Sequence, residues 1–346
     1  MKKLGLLLVV TIVMSACGSS APAAAPPTVA AAATASAATA SPPPAVKVKV
    51  AWTAASGTQG GIWAAYEGGY FREEGLDVEL VSITSSSTSI TALVANDLQF
   101  SGTDLTGLVE ADVRGASIKG IIAITNRLIF SFMVSPKIKR GEDLKGKTIG
   151  ITRLGSSTQT AALQVLQRYG VDPRDVTFIQ LLDVPAILAA LQGGQVDAAA
   201  LSPPTNTRAK AAGFTELLNL ATEGPAYPNI VMSTTAQYIA ERPDVVKRFV
   251  RAYGKGVQRF KTDKDFGIKA MNVYLKLTDT SVLEDTWLQF SKYLAGKTPL
   301  VEGMETIIAE VAQREPKAVG AKPTQFLDES FVRDLTREGF YNAFLP

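Results

Sequence analysis

Residues 46–52, VKVKVAW, alternate apolar and polar side chains, the period of a half-buried strand. A polar, glycine-rich loop follows, TAASGTQGG (53–61). The pattern then predicts a helix over 62–67 that stops at Gly68-Gly69, where glycine accepts the left-handed cap. LDVELV (76–81) alternates again and predicts a second strand. A strand, a helix and a strand this close imply a right-handed crossover and parallel pairing. After a serine-rich loop the chain predicts a helix over 89–95, a turn at Asn96-Asp97, a short strand over 98–101 and a polar loop into another helix. IKGIIAI (118–124) reads as a further strand.

The same order recurs from Lys147. KTIGI predicts a strand, TRLGSSTQ a polar loop, TAALQVLQRYG a helix ending on Gly170, and VTFIQL a strand. The stretch 184–213 then predicts a helix, a Gly193-Gly194 turn, a short strand and a polar loop into a helix. Few residues match between the halves, so the repeat rests on pattern.

The tail differs. Pro243 suits a first helical position, and the residues after it carry apolar side chains at helical spacing. Further helices are predicted near 266–277, 282–294, 302–315 and 329–339, packed on the first half. Two crossings are then needed, near 132–136 and 229–234. They divide the chain into a first lobe (47–134 plus 234–346) and a second (135–233).

The start is of another kind. MKKLGLLLVVTIVMSAC has a basic beginning and an apolar run over 4–14, too short for the roughly 20 residues that span a bilayer. It reads as an export signal, residues 1–16. Ser15 and Ala16 directly before Cys17 resemble a bacterial lipoprotein processing site. That resemblance implies lipidation of Cys17 and anchoring to the cell membrane on its extracytoplasmic side. Residues 17–46 hold the anchor and an Ala/Pro/Ser/Thr tether that cannot bury a core.

Composition narrows the chemistry. The 346 residues carry a formal charge of +3, two units of it from Lys2 and Lys3 in the leader. So balanced a chain, with no dense Lys/Arg cluster, does not suit a nucleic-acid binder. There is no histidine, and Cys17 is the single cysteine. A His-dependent triad, His-ligated zinc, a CxxC pair and an internal disulfide are excluded. GxGxxG and Ser-x-x-Lys do not occur, and no metal or cofactor is expected.

Two α/β halves with polar loops after their strands suggest a clamp. In open α/β sheets ligands lie beyond the carboxyl ends of the strands. Helix amino termini there offer free N–H groups and partial positive charge.

Five stretches in order carry a family likeness: GIWAAYEGGYFREEGLDVELV (61–81), EDLKGKTIGITRLGSST (142–158), LQGGQVDAAALSPP (191–204), ERPDVVKRFVRAY (241–253) and DESFVRDLTREGF (328–340). Together the chain over 47–346 resembles the substrate-binding proteins of nitrate/sulfonate/taurine and thiamine-pyrimidine-precursor ABC transporters. The resemblance implies an α/β, two-lobe periplasmic-binding-protein type II (Venus-flytrap) fold with the helical C-terminal part packed on lobe one. It implies a monomer that captures a small solute outside the membrane and passes it to permease and ATPase subunits. A sensor feeding a membrane kinase and an enzyme on the same fold are the alternatives. The pyrimidine-forming enzymes draw on an active-site histidine that this chain lacks.

The loops at the strand ends supply the candidate ligand contacts. In lobe one these are Thr58, Gln59, Gly60, Ser85, Ser86, Ser87, Thr103 and Asp104. In lobe two they are Arg153, Gly155, Ser156, Ser157, Thr158 and Ser202. Arg127 lies just past the strand 118–124, where chains of this type line the cleft. Either Arg127 or Arg153 could grip a carboxylate or sulfonate with two N–H bonds. Asp104 and Asp183 would instead suit an amine or a pyrimidine. Trp63 and Phe130 could wall an apolar solute or pack in the core. Many hydroxyls and few charges lean towards a small organic anion (sulfonate, nitrate or carboxylate-like) or a heterocycle. Tyr70 and Phe71 are expected to plug the hinge side of the first sheet.

Overall fold

A computed structural model describes residues 45–83, 86–181, 183–296 and 301–344. The export signal, Cys17, most of the tether and Ser85 lie outside the described residues. Among the described residues ten strands form two five-stranded sheets: β1 (Val46–Trp52), β2 (Leu76–Ser82), β3 (Phe100–Asp104), β4 (Ile118–Thr125), β5 (Ser131–Val134), β6 (Thr148–Ile151), β7 (Thr177–Gln180), β8 (Ala198–Leu201), β9 (Thr215–Asn219) and β10 (Ile230–Thr235). The first sheet runs β2-β1-β3-β10-β4 and the second β7-β6-β8-β5-β9.

The two sheets repeat one design. β1 pairs in parallel with β2 and β3, as β6 does with β7 and β8. β10 then lies antiparallel between β3 and β4, and β5 lies antiparallel between β8 and β9. Each half therefore holds one strand reached by a crossing of the chain. The crossings run between Thr125 and Ser131 and between Asn219 and Ile230, a few residues ahead of the boundaries the sequence suggests. The sequence offers the stretches near 132–136 and 229–234 only as crossings, whereas Ser131–Val134 and Ile230–Thr235 are strands, which only pairing assigns to a sheet. The crossings lie side by side: Tyr227 N donates to Asn126 O at 3.1 Å and Asn229 N to Thr125 O at 3.0 Å.

The helices follow from the periodic segments, with ends shifted by a few residues. Ser86–Val94 begins inside the serine run read as loop, and Ser157–Arg168 begins at the hydroxyls of GSST. Helix Pro243–Thr262 is the longest described, and it lies along helix Gly60–Glu67. They approach closely because glycines face each other. A Cβ on Gly256 would stand 2.6 Å from both Ala65 Cβ and Gly61 O.

Phe71 stacks on Phe249 (centroids 5.4 Å apart), which stacks on Phe100 of β3 at 3.8 Å. Phe71 thus seals the outer helix against the sheet, and does not plug the hinge as expected. The acids beside it are fixed as well. Glu74 pairs with Arg251 at 3.2 Å and Lys255 at 2.9 Å, and Glu73 with Lys255 at 3.1 Å. The stretch FREEG therefore clasps the amino-terminal part of the first lobe to its carboxyl-terminal helix. No described helix is long and apolar enough to cross a membrane.

Candidate functional site

The loops that follow the strands of both sheets face one cleft of about 360 Å³. Lobe one contributes the loop after β1, the start of helix Ser86–Val94 and the end of β3; lobe two contributes the loops after β6, β7 and β8. Of the sequence candidates, Thr58, Gln59, Ser86, Asp104, Arg153, Ser156, Ser157, Thr158 and Ser202 line it, with Asp183 and Phe130.

Other candidates lie elsewhere. Gly60 opens helix Gly60–Glu67 with Phe260 against it, since a Cβ there would meet that ring at 2.6 Å. Thr103 is buried, its hydroxyl 2.5 Å from Ser233 Oγ. Arg127 donates to the Gly224 carbonyl at 3.1 Å and ties one crossing segment to the other, outside the cleft lining. Ser87 and Gly155 line an adjoining groove of about 580 Å³, which Asp104 and Arg153 also edge. Trp63 is fully buried, stacked on Tyr274 at 4.8 Å, and belongs to the core.

The floor also uses residues that sequence reasoning passed over. Thr53–Ser56 belong to the same loop as Thr58, and taking the whole loop would have found them. Asn229 and Ile230 arrive through β10, whose return into the first sheet periodicity does not reveal. Ile129, Leu181, Val184 and Pro185 add an apolar wall.

Three of the helices that start at the cleft have a described side-chain cap, and these caps differ. Asp104 Oδ1 accepts from Gly107 N at 2.8 Å, and Asp183 Oδ1 accepts from Ala186 N at 2.8 Å. Both of these termini already hold a carboxylate. Helix Ser157–Arg168 is capped by the uncharged Ser156, whose Oγ accepts from Gln159 N at 3.5 Å and donates to the Arg153 carbonyl at 2.7 Å. Its first N–H groups have no intrahelical acceptor, so an acceptor or anionic group on a ligand would suit that end. Thr158 Oγ1 accepts from Thr152 N at 2.9 Å and holds the loop against the strand.

The lobes touch directly around the cleft. Arg153 donates to Ser87 Oγ at 3.1 Å and stands 4.0 Å from Asp104 Oδ2. Ser56 Oγ donates to the Pro203 carbonyl at 3.1 Å, and Thr207 Oγ1 to Asp285 Oδ2 at 2.5 Å.

Beside the crossings sits a buried polar cluster. Tyr227 OH donates to Glu310 Oε2 at 2.9 Å and lies 3.1 Å from Thr106 Oγ1. Burial pushes the Glu310 carboxyl above its usual 4.5, against the smaller opposing effects of Tyr227 and Arg314. The folded state therefore holds this proton more tightly than the unfolded chain. Its stabilising effect is complete below pH 4.5 and is lost as pH rises through the raised value. Glu310→Gln is expected to melt higher than the parent at pH 7.5, with the difference closing at pH 4. A variant melting lower at pH 7.5 would show that the charged carboxylate is the stabilising form.

The model of the family described as NMT1/THI5 like matches residues 58–265. The taurine-binding periplasmic protein of Escherichia coli is 26% identical over 217 residues, 61% of this chain and 66% of that protein. The riboflavin-binding protein RibY of Chloroflexus aurantiacus is 26% identical over 237 residues, 64% of this chain and 63% of that one. The chain spans between 40% and 66% of the lengths of four curated relatives it matches. Among solved structures, the alkanesulfonate-binding protein SsuA of Xanthomonas axonopodis pv. citri, bound to MOPS, superposes with a TM-score of 0.68 at 17% identity. The match covers 83% of this chain and all (100%) of that one.

Proposed function

The chain belongs to the NMT1/THI5-like family, and we propose that it is the extracytoplasmic solute-binding component of an ABC importer. It captures a small organic solute between its lobes and presents it to permease and ATPase subunits. The observation that carries this reading is the cleft itself: both sheets turn their strand ends and helix starts towards one space, and the lobes bond to each other around it. The ligand contacts proposed are Thr58, Gln59, Ser86, Asp104, Arg153, Ser156, Ser157, Thr158 and Ser202. A lipid on Cys17 holds the monomer at the membrane. The relatives' names add weight to an organic solute, since they bind taurine or riboflavin.

The test is a thermal-shift screen of the full chain, refolded from denaturant to remove carried solute, against sulfonates, carboxylates, oxyanions and nitrogen heterocycles. A ligand at 100 times its Kd adds about 2.7 kcal/mol. Small-angle scattering with the same compounds reads lobe closure. A folded protein that neither shifts nor closes with any class would sink the reading.

Arg153 gives a separate prediction. Its side chain is 35% exposed and reaches Asp104 and Ser87 across the lobes. Such partly exposed pairs contribute about 0.2–1 kcal/mol. Arg153→Ala is therefore expected to weaken solute binding by no more than about fivefold in isothermal titration. A loss beyond about 100-fold would instead make Arg153 the main grip on the solute.

A further inference from the structure

Beside the second crossing stands a largely buried acid that solute capture does not use. Helix Val301–Ala312 lies along that crossing. A Cβ on its Gly303 would stand 2.0 Å from Pro228 Cδ, and two turns on its Glu310 accepts from Tyr227 OH at 2.9 Å. Tyr227 is buried, and its backbone N–H donates to Asn126 O of the first crossing at 3.1 Å. The tyrosine therefore sits where the chain passes twice between the lobes.

Each lobe brings a hydroxyl to it. Thr106 Oγ1, 3.1 Å away, belongs to helix Leu105–Val113 of lobe one, which is capped by Asp104 of the cleft lining. Thr160 belongs to helix Ser157–Arg168 of lobe two, capped by Ser156 of the same lining, and stands close enough to act on the same hydroxyl. Both threonines are buried. Gly155 of lobe two also covers the end of the acid's helix: a Cβ there would come 3.7 Å from Arg314 Nη2 and 3.6 Å from Glu110 Oε1. Rotation of one lobe against the other cannot keep both threonines on Tyr227, so parting the lobes opens this packing to water.

The charged neighbours are already engaged. Arg314, just past the helix end, acts on Glu310 but pairs with Glu110 of helix Leu105–Val113. Arg114 of that helix pairs with Glu315, and Lys317 in the turn Pro316–Ala318 acts on Glu315 too. Glu305 on the acid's own helix is exposed, and the turn Pro323–Gln325 carries no charge. Among the described residues none forms an ion pair with Glu310. A buried carboxylate without an ion pair is costly in its charged form. Burial accordingly holds the Glu310 carboxyl above its usual 4.5, with Tyr227 and Arg314 opposing. Water admitted by opening removes that effect, so the closed form binds the proton more tightly than the open form. A proton favours whichever form binds it better. Closure is favoured in full below the open form's value, and the preference is lost as pH rises through the closed form's.

We propose that Glu310 and Tyr227 make a proton-operated lock on the crossing: with the acid protonated the lobes stay together, and with it ionised they part. The cleft then gives up its contents more readily as pH rises. This goes beyond solute capture, and its test needs no solute.

The test is the distance between spin labels on the two lobes of the refolded full chain. Cys17→Ser removes the single native cysteine. The labels go on Ala211→Cys, exposed on helix Thr205–Ala211 of lobe two, and Val273→Cys, exposed on helix Lys264–Leu275 of lobe one. Between pH 4.5 and pH 8 the fraction of short distances in the labelled parent is expected to fall about threefold or more. Glu310→Gln should keep the low-pH fraction throughout. Tyr227→Phe takes away a hydrogen bond that steadies the carboxylate, so its midpoint should move to higher pH. Melting of each variant checks that it folds. Parent distances that ignore pH, a Glu310→Gln chain that opens along the parent's curve, or a Tyr227→Phe midpoint that stays or falls overturns the inference. Solute capture, read by the screen, stands apart from all three.

Discussion

Phe249→Ala is expected to remove about 3–5 kcal/mol of folding stability, the usual cost of deleting a core phenylalanine. Phe249 is fully buried in helix Pro243–Thr262. Its ring lies between Phe71, from the turn after the first helix, and Phe100, from β3. It therefore joins three separated parts of the chain. The neighbours cannot collapse into the space easily, because Glu73 and Glu74 hold the turn on the same helix through Arg251 and Lys255. Urea unfolding of the full chain, followed by circular dichroism, measures the loss. Val273→Ala, at a 48% exposed position, serves as control and should stay within about 0.5 kcal/mol. A Phe249→Ala loss under about 1 kcal/mol would mean that the aromatic column is not what holds the outer helix to the sheet.

That column also shows where sequence reading reached and where it stopped. The alternation in VKVKVAW and LDVELV is enough to name β1 and β2 and their parallel pairing, because side chains on a strand repeat every second residue. The repeat of the order from Lys147 is enough to expect a second sheet built alike. What periodicity cannot carry is the partner of an isolated strand. Ser131–Val134 and Ile230–Thr235 look like links, yet each pairs on both edges, in the sheet opposite to the one its position suggests. The acids of FREEG pose the same problem. Their partners Arg251 and Lys255 lie about 180 positions along the chain, and no local pattern announces them.

The site followed the same division. Hydroxyl-rich loops after strands were legible as cleft lining, since GSST and TAASGTQ sit where an α/β sheet presents its ligand face. Arg127 misled because its place beyond β4 resembles that of a cleft residue. The chain turns there into the first crossing, and the guanidinium serves the Gly224 carbonyl instead. Gln59 was visible only as one loop residue among several. Its burial and missing partner emerge from the helix that follows it and from the bare Gly102 beneath.

Ser157→Glu should lower affinity for the solute by about 100-fold or more, some 2.7 kcal/mol, without destabilising the fold. Ser157 is the first residue of helix Ser157–Arg168, half-buried and on the cleft wall. A carboxylate there takes up the N–H groups that an acceptor or anionic group of the solute would use. It also adds a negative charge to a lining in which, among the described residues, Asp104 and Asp183 face the single guanidinium of Arg153. The fold has no reason to suffer, because an acid in the first turn of a helix contributes about 0.3–1 kcal/mol of stability. Opposite signs for binding and stability separate this effect from damage. Ser157→Gln fills the same volume without the charge and is expected to lose only about tenfold. Titration with the solute found in the screen, alongside melting of the unliganded variants, reads both quantities. If Ser157→Glu binds as the parent does, the solute does not reach this helix. The cleft would then hold its ligand from lobe one and the Asp183 wall alone.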